Sequence, residues 1–267
     1  MAKQKSIFSK VAELEESGDS GALCTIVSSK GSTPRRAGSK MLVYQDGSII
    51  GTVGGGELEN RVRLAALETM TKGYPIALNY NMTDISRGDP GICGGQVEVY
   101  VEPILPAQTV VIIGGGHVGK AVSHLAKWLG FKVVVSDDRP EFCTRKSNPD
   151  ADLFLPVSMS DIPNRMKITP RTYFVLTTRG VDVDVKGLPA LIDTPAAYIG
   201  VIGSRRRWTT TVKGLEKAGI TKSAIQRIHS PIGLDLNAET PEEIAVSILS
   251  EIIMLRNGGS GNTMSGR

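Results

Sequence analysis

The residues of this 267-residue chain best suited to chemistry sit in glycine-rich stretches. DPGICGGQ, residues 89–96, sets Cys93 directly before Gly94 and Gly95. A thiolate can act as a nucleophile or as a ligand to a soft metal; a buried loop cysteine is the plain alternative. Cys24, inside ALCTIV, reads as a small core residue, and Cys143 has no partner at metal-ligand spacing. With neither a C-x-x-C nor a Cys/His pair, a structural zinc site is not expected. In the second half, TVVII runs into GGGHVG, so Gly114, Gly116 and Gly119 match G-x-G-x-x-G. KVVVS then ends at Asp137 and Asp138, 23 and 24 residues after Gly114. Strand, glycine turn, helix, strand and acid in that order is the context of a dinucleotide fingerprint. The glycines let backbone approach a pyrophosphate, and the helix N-terminus supplies N–H groups. Asp137 falls where an acid usually binds a ribose diol, whereas Arg139 would favour a 2′-phosphate.

Further stretches extend this set. KGSTPRRAGSK (30–40) offers the hydroxyls of Ser32 and Thr33 and the cations Arg35 and Arg36 for a phosphate or polar ring atoms. Gly54, Gly55 and Gly56 precede a helix and read as an anion-binding nest of N–H groups. Each loop alone reads equally as a plain turn; together with the cysteine loop they make three glycine-rich elements between Lys30 and Gln96. TTRGVDVD (177–184) and GSRRRW (203–208) follow strands, where ligands bind in open α/β sheets. Arg205, Arg206 and Arg207 read either as a phosphate clamp or as a solvated helix face. His117 sits in the glycine turn, exposed to the cleft without an assigned catalytic role. His124 reads as structural, and His229 as a modest site residue.

Two kinds of patterning must position these residues. The first half mixes amphipathic helix (Ile7 to Glu16, and about Glu57 to Met70) with strand-like runs at 22–29, MLVYQ, SIIGTV, YPIALNYNM and QVEVYVEPI. Asp46-Gly47 predicts a type I′ hairpin turn. EPILPAQ (102–108) reads as a linker, which sets an α+β domain at 1–105 before a Rossmann-like parallel-sheet domain at 106–257. Apolar strands there alternate with helices, and Thr240-Pro241 with Glu243 predicts a capping box. Residues 258–267, Gly/Ser-rich, are expected to be a disordered tail.

Hydrophobic residues make up 40% and charged residues 22%, ordinary for a globular protein. No apolar run is long enough for a bilayer, no signal-peptide block opens the chain, and three cysteines make no disulfide framework. These features predict a cytoplasmic protein with no membrane partner. Net charge is +4, with 11 Lys and Arg against 12 Asp and Glu in residues 1–105, and 20 against 15 after them. That bias suits a phosphate-bearing small ligand and does not point to nucleic acid.

GSTPRRAGSKML, DGSIIGTVGGGELE, GICGGQVEVYVEP, VVIIGGGHVGKAV, VVSDDRPEF, YIGVIGSRRRW and HSPIGLDLNAETPEEIAVSI together resemble the XdhC/CoxI family, accessory proteins of molybdenum hydroxylases such as xanthine dehydrogenase. The likeness spans about residues 20–257, with the motifs in the family's order. It implies an XdhC/CoxI-type domain followed by a Rossmann domain, and a cofactor chaperone and maturation factor rather than a turnover enzyme. Members bind molybdenum cofactor, support its sulfuration with a cysteine desulfurase as sulfur source, and help insert it into the hydroxylase client. Some carry a cysteine in the first glycine loop; here that loop reads Gly54-Gly55-Gly56-Glu57, leaving Cys93 as the motif thiol that would contact or guard molybdenum. The 31–36 loop and Gly54–Gly56 would then hold the pterin and its phosphate, and the Rossmann domain NAD(P) or a related nucleotide. Rival readings are an NAD(P)-dependent oxidoreductase and a non-catalytic nucleotide-binding scaffold for a hydroxylase. A homodimer is expected only because two-fold assemblies are the commonest.

Overall fold

The computed structural model describes residues 6–82 and 94–265. It divides into two compact units, Met1–Pro106 and Ala107–Arg267.

In the first unit α1 (Ile7–Ser17) starts at Ser6, whose hydroxyl accepts from Ser9 N–H, and ends at left-handed Gly18. Then follow β1 (Gly21–Lys30), β2 (Lys40–Tyr44), β3 (Ile49–Gly51), α2 (Gly56–Lys72), β4 (Ile76–Asn81) and β5 (Gln96–Ile104). The strands form one antiparallel sheet in the order β3-β2-β1-β5-β4. Alternate residues Ala22, Cys24, Ile26, Val97, Val99 and Val101 point to one face and bury there with Leu58, Val62 and Ala66 of α2. Cys24 is fully buried among them, and loss of hydration pushes its thiol up to about 12.

Two expectations change here. Only Gly47 of the Asp46-Gly47 pair has positive φ (80°), and its N–H donates to Tyr44 O, so the loop is not the type I′ turn, which needs positive φ at both central residues. Asp46 instead takes Ser48 N–H and hydroxyl on its carboxylate, which favours an ordinary φ there. EPILPAQ is not all linker: Glu102, Pro103 and Ile104 pair with Leu23, Ala22 and Gly21. Pro103 is tolerated because β4 pairs with β5 only as far as Val101, so past that point one edge needs no donors.

The second unit runs β6 (Thr109–Ile113), α3 (His117–Trp128), β7 (Lys132–Ser136), β8 (Leu153–Leu155), β9 (Thr172–Leu176), α4 (Val181–Ile192), β10 (Tyr198–Val201), α5 (Arg205–Lys217), α6 (Lys222–Ile225), β11 (Ile228–His229) and α7 (Pro241–Asn257). All six strands are parallel, in the order β11-β10-β9-β6-β7-β8. Counted from β6, this is the doubly wound order with its switch point between β6 and β9. Alternation again divides the side chains. Val110, Ile112, Val133, Val135 and Val175 pack with Val122, Ala126, Ala245, Ile248 and Leu249 on one face. Val111, Ile113, Phe174, Leu176 and Ile199 pack with Leu188, Leu191 and Leu215 on the other. Parallel strands covered on both sides need this continuous apolar character. The capping box at Thr240 forms as expected, with Pro241 opening α7. Gly258, left-handed, closes that helix, and residues 258–265 are exposed.

No helix among the described residues is long and apolar enough to cross a membrane.

Candidate functional site: the glycine-turn crevice and the first-unit loops

The glycine turn after β6 is held by its neighbours on both sides. Gly114, at φ 115°, donates to Ser136 O at 2.8 Å and lies so close to Thr177 that a Cβ there would stand 2.5 Å from Thr177 O. Thr177 Oγ1 donates to Gly114 O at 2.6 Å. A Cβ on Gly119 would stand 2.0 Å from Gly114 O, so this third glycine sets how closely α3 packs on the turn. At Gly116, a Cβ would meet open space. Lys120 N–H makes the first backbone bond of α3, to Gly116 O. The N–H groups of His117, Val118 and Gly119 therefore have no partner within the helix and carry its positive dipole end. A phosphate fits there by the chemistry of its donors.

Gly115 is different, because both of its peptide groups are taken. Its N–H donates to Asp137 Oδ2 at 2.9 Å, and its carbonyl accepts from Asn148 Nδ2 at 3.1 Å. Asp137 also receives Arg139 N and Nε on Oδ1 and Nη2 on Oδ2, at 2.9–3.0 Å. The Arg139 guanidinium lies 4.0 Å from the Phe142 ring centre. Asn148 is fully buried, and it carries no sequence signal that ties it to the turn 33 residues earlier.

A crevice opens at the C-terminal ends of β6, β7 and β9. Asp137, Asp138 and Arg139 line it with Thr178, Arg179 and Lys186, and Val157, Met159 and Val183 make its apolar wall. Asp138 and Arg179 face each other across it in a two-pronged pair, Nη1 to Oδ1 at 2.6 Å and Nη2 to Oδ2 at 2.8 Å. The Arg179 guanidinium holds the Asp138 carboxyl down at about 2. Behind the crevice, fully buried Asp184 accepts from Thr178 Oγ1 and, at 2.7 Å, from Arg207 Nη2. Of the three arginines that open α5, Arg207 is thus an internal clamp, while Arg205 and Arg206 are exposed. Arg205 lines a different cleft, with Gly203, Pro231 and Asn237. His229 bonds Glu251 Oε1 at 3.0 Å and lies on the Tyr198 ring; Glu251 Oε2 takes Tyr198 hydroxyl and Gly233 N–H, both at 2.6 Å. His124 is exposed and pairs with Asp150 at 3.1 Å.

In the first unit the glycine-rich elements meet. A Cβ on Gly95 would stand 2.2 Å from Ser32 O and 2.6 Å from Thr33 Cγ2, and one on Gly54 would stand 2.8 Å from Pro34 Cγ. The 31–36 loop therefore touches both the Gly54 turn and the Gly94–Gly95 stem. Thr33 hydroxyl is bound within the loop to Arg35 O at 2.9 Å, and the side chains of Arg35 and Arg36 are exposed. The turn that reads as an anion nest is filled from within: Glu59 Oε2 accepts from Gly55 N and Val53 N at 3.3 Å and from Thr52 Oγ1 at 2.5 Å. The signal was legible in part, since Glu59 stands one helical turn after Gly55, where its side chain reaches back to the helix start. Cys93 lies outside the described residues. Among the described residues no group of three or more His, Cys, Asp or Glu side chains could hold a metal ion.

Comparison with known proteins places this geometry. Residues 110–252 match the XdhC Rossmann domain, and residues 14–81 match the XdhC and CoxI family. The chain belongs to the XdhC/CoxI family. It is 34% identical to YqeB of Escherichia coli (strain K12) over 97% of its own length, but spans about half of that relative, 48%. The molybdenum cofactor insertion chaperone PaoD of the same organism is 24% identical over 94% of this chain and 88% of that one. A crystal structure titled as a xanthine dehydrogenase from Bacillus halodurans shares the fold, with a TM-score of 0.51 at 22% identity over 98% of this chain and 99% of that one. The two family models thus fall one in each compact unit, over residues 14–81 of the first and 110–252 of the second.

Proposed function

We propose that this XdhC/CoxI protein is an accessory factor that binds molybdenum cofactor and assists its sulfuration and insertion into a molybdenum hydroxylase client. One observation carries the reading: the alignment with the insertion chaperone PaoD runs through both units, over 94% of this chain and 88% of PaoD. The convergence of the 31–36 loop with the glycine turns supports it. That loop presents Ser32 and the exposed guanidinium groups of Arg35 and Arg36 beside backbone that cannot carry side chains, which fits the phosphate of a pterin cofactor. The Gly54–Gly56 turn fits less well as a phosphate cradle, since Glu59 already holds the Gly55 N–H. Its part is to fix Pro34, and with it the loop. Cys93, two residues before Gly95, is the thiol proposed to contact or guard the metal. A cysteine desulfurase is the proposed sulfur source, and the glycine-turn crevice of the second unit is the proposed seat of NAD(P) or a related nucleotide.

The test is metal and pterin analysis of the protein purified without oxygen from a host that makes molybdenum cofactor. Molybdenum and pterin should co-purify, and Cys93→Ser should lower the metal load. Wild-type protein free of both, under conditions where a known carrier of molybdenum cofactor retains it, would overturn the reading.

A further inference from the structure

Which acid reads the ribose can be settled by counting lone pairs. Asp137 stands where the fingerprint places the ribose acid, but a carboxylate offers about four acceptor positions. All four are in use: Gly115 N and Arg139 Nη2 on Oδ2, and Arg139 N and Nε on Oδ1. The residue is also only 4% exposed. A ribose diol could bind Asp137 only by releasing the glycine turn or the Arg139 fork. Asp138, the next residue, is in the opposite state. Its side chain is 42% exposed, and each oxygen accepts one hydrogen bond, from Arg179, leaving one lone pair apiece.

Cations decide the second question, whether a phosphate on the ribose is welcome. Both crevice guanidinium groups already bind carboxylates with two nitrogens each, Arg139 with Asp137 and Arg179 with Asp138. A 2′-phosphate could reach only the N–H groups left outside these forks or Lys186, and on either guanidinium it would sit beside the carboxylate already held there. A diol has two O–H groups to donate and breaks nothing.

We propose that Asp138, not Asp137, reads the ribose of the adenosine half of a bound nucleotide, that Arg179 orients its carboxylate from across the switch point, and that the crevice prefers an unphosphorylated ribose. This rests on the reading of the crevice as a nucleotide site. Asp138 is the specificity-determining residue, Arg179 a positioning residue, and Asp137 a brace of the turn.

The experiment is calorimetric titration of the full-length protein with NAD, NADP, ADP and 2′-deoxy-ADP. NAD is expected to bind at least tenfold tighter than NADP, and ADP tighter than 2′-deoxy-ADP. Asp138→Ala should weaken NAD about tenfold and bring NAD and NADP level. Arg179→Met should shrink the difference between ADP and 2′-deoxy-ADP, and Arg179→Lys should restore part of it, a pattern that a merely structural arginine would not give. Thermal unfolding of each variant checks that it folds. NADP binding as tightly as NAD, or Asp138→Ala binding NAD like wild type, would overturn the proposal while leaving the nucleotide site standing. Failure of all four nucleotides to bind would overturn both.

Discussion

Replacing Asp137 by Asn tests whether this acid holds the fold or the ligand. The amide keeps one oxygen toward Arg139 N and Nε, but its NH2 group then faces Gly115 N–H and Arg139 Nη2, donor against donor. Gly115 is buried, and a buried N–H without an acceptor costs about 1–3 kcal/mol. The weakened pair with Arg139, whose side chain is 37% exposed, adds no more than about 1 kcal/mol. The second unit should lose about 1–4 kcal/mol in all, and its unfolding midpoint should fall by about 2–16 °C. Scanning calorimetry without ligand, together with amide hydrogen exchange, measures this; the peptide containing Gly114–Gly116 should exchange faster while first-unit peptides do not change. Asp137→Asn with wild-type stability and wild-type exchange at the turn, but without nucleotide binding, would refute the reasoning and return Asp137 to the ribose.

Two further outcomes follow from the same reading of buried polar groups. Burial works to raise the Glu251 carboxyl, yet hydrogen bonds from His229, Tyr198 and Gly233 N–H leave it below the ordinary value. Its stabilisation is therefore complete above about pH 4.3 and is lost as pH falls through the lowered value, so Glu251→Gln should flatten the acid limb of a stability-against-pH curve. In the first unit, Gly95→Ala would drive a methyl group to 2.2 Å from Ser32 O and 2.8 Å from Lys30 O, both backbone atoms that cannot swing aside. It should cost about 1–3 kcal/mol in denaturant unfolding and raise hydrogen exchange across residues 30–37, and unchanged exchange there would show that the loop does not rest on this stem.

Much of the arrangement could be read from residue patterns because it is set by local periodicity. Four apolar residues in TVVII, then glycines, then an amphipathic helix leave one geometry open, and the chain adopts it. Thr240-Pro241 with Glu243 likewise carries its whole explanation within four residues. β11 escaped notice because two residues, Ile228 and His229, make no pattern; the strand exists only because β10 offers a free parallel edge.

What the sequence determined by itself was the fold class, the two-part order and the location of the glycine turns, each a consequence of steric permissiveness or apolar alternation within about ten residues. What only the tertiary structure decided was who uses the donors and acceptors. Asp137 and Asp138 are indistinguishable as letters, yet one is saturated by a turn 22 residues earlier and the other is held by an arginine 41 residues later. Gly54–Gly56 reads as an open nest until Glu59 folds back into it. Three consecutive arginines separate into one internal clamp and two exposed cations because fully buried Asp184 requires a counter-charge and only Arg207 bonds to it. Hydrogen-bond capacity is a property of the residue, but whether it is already spent depends on neighbours that the fold brings from far along the chain.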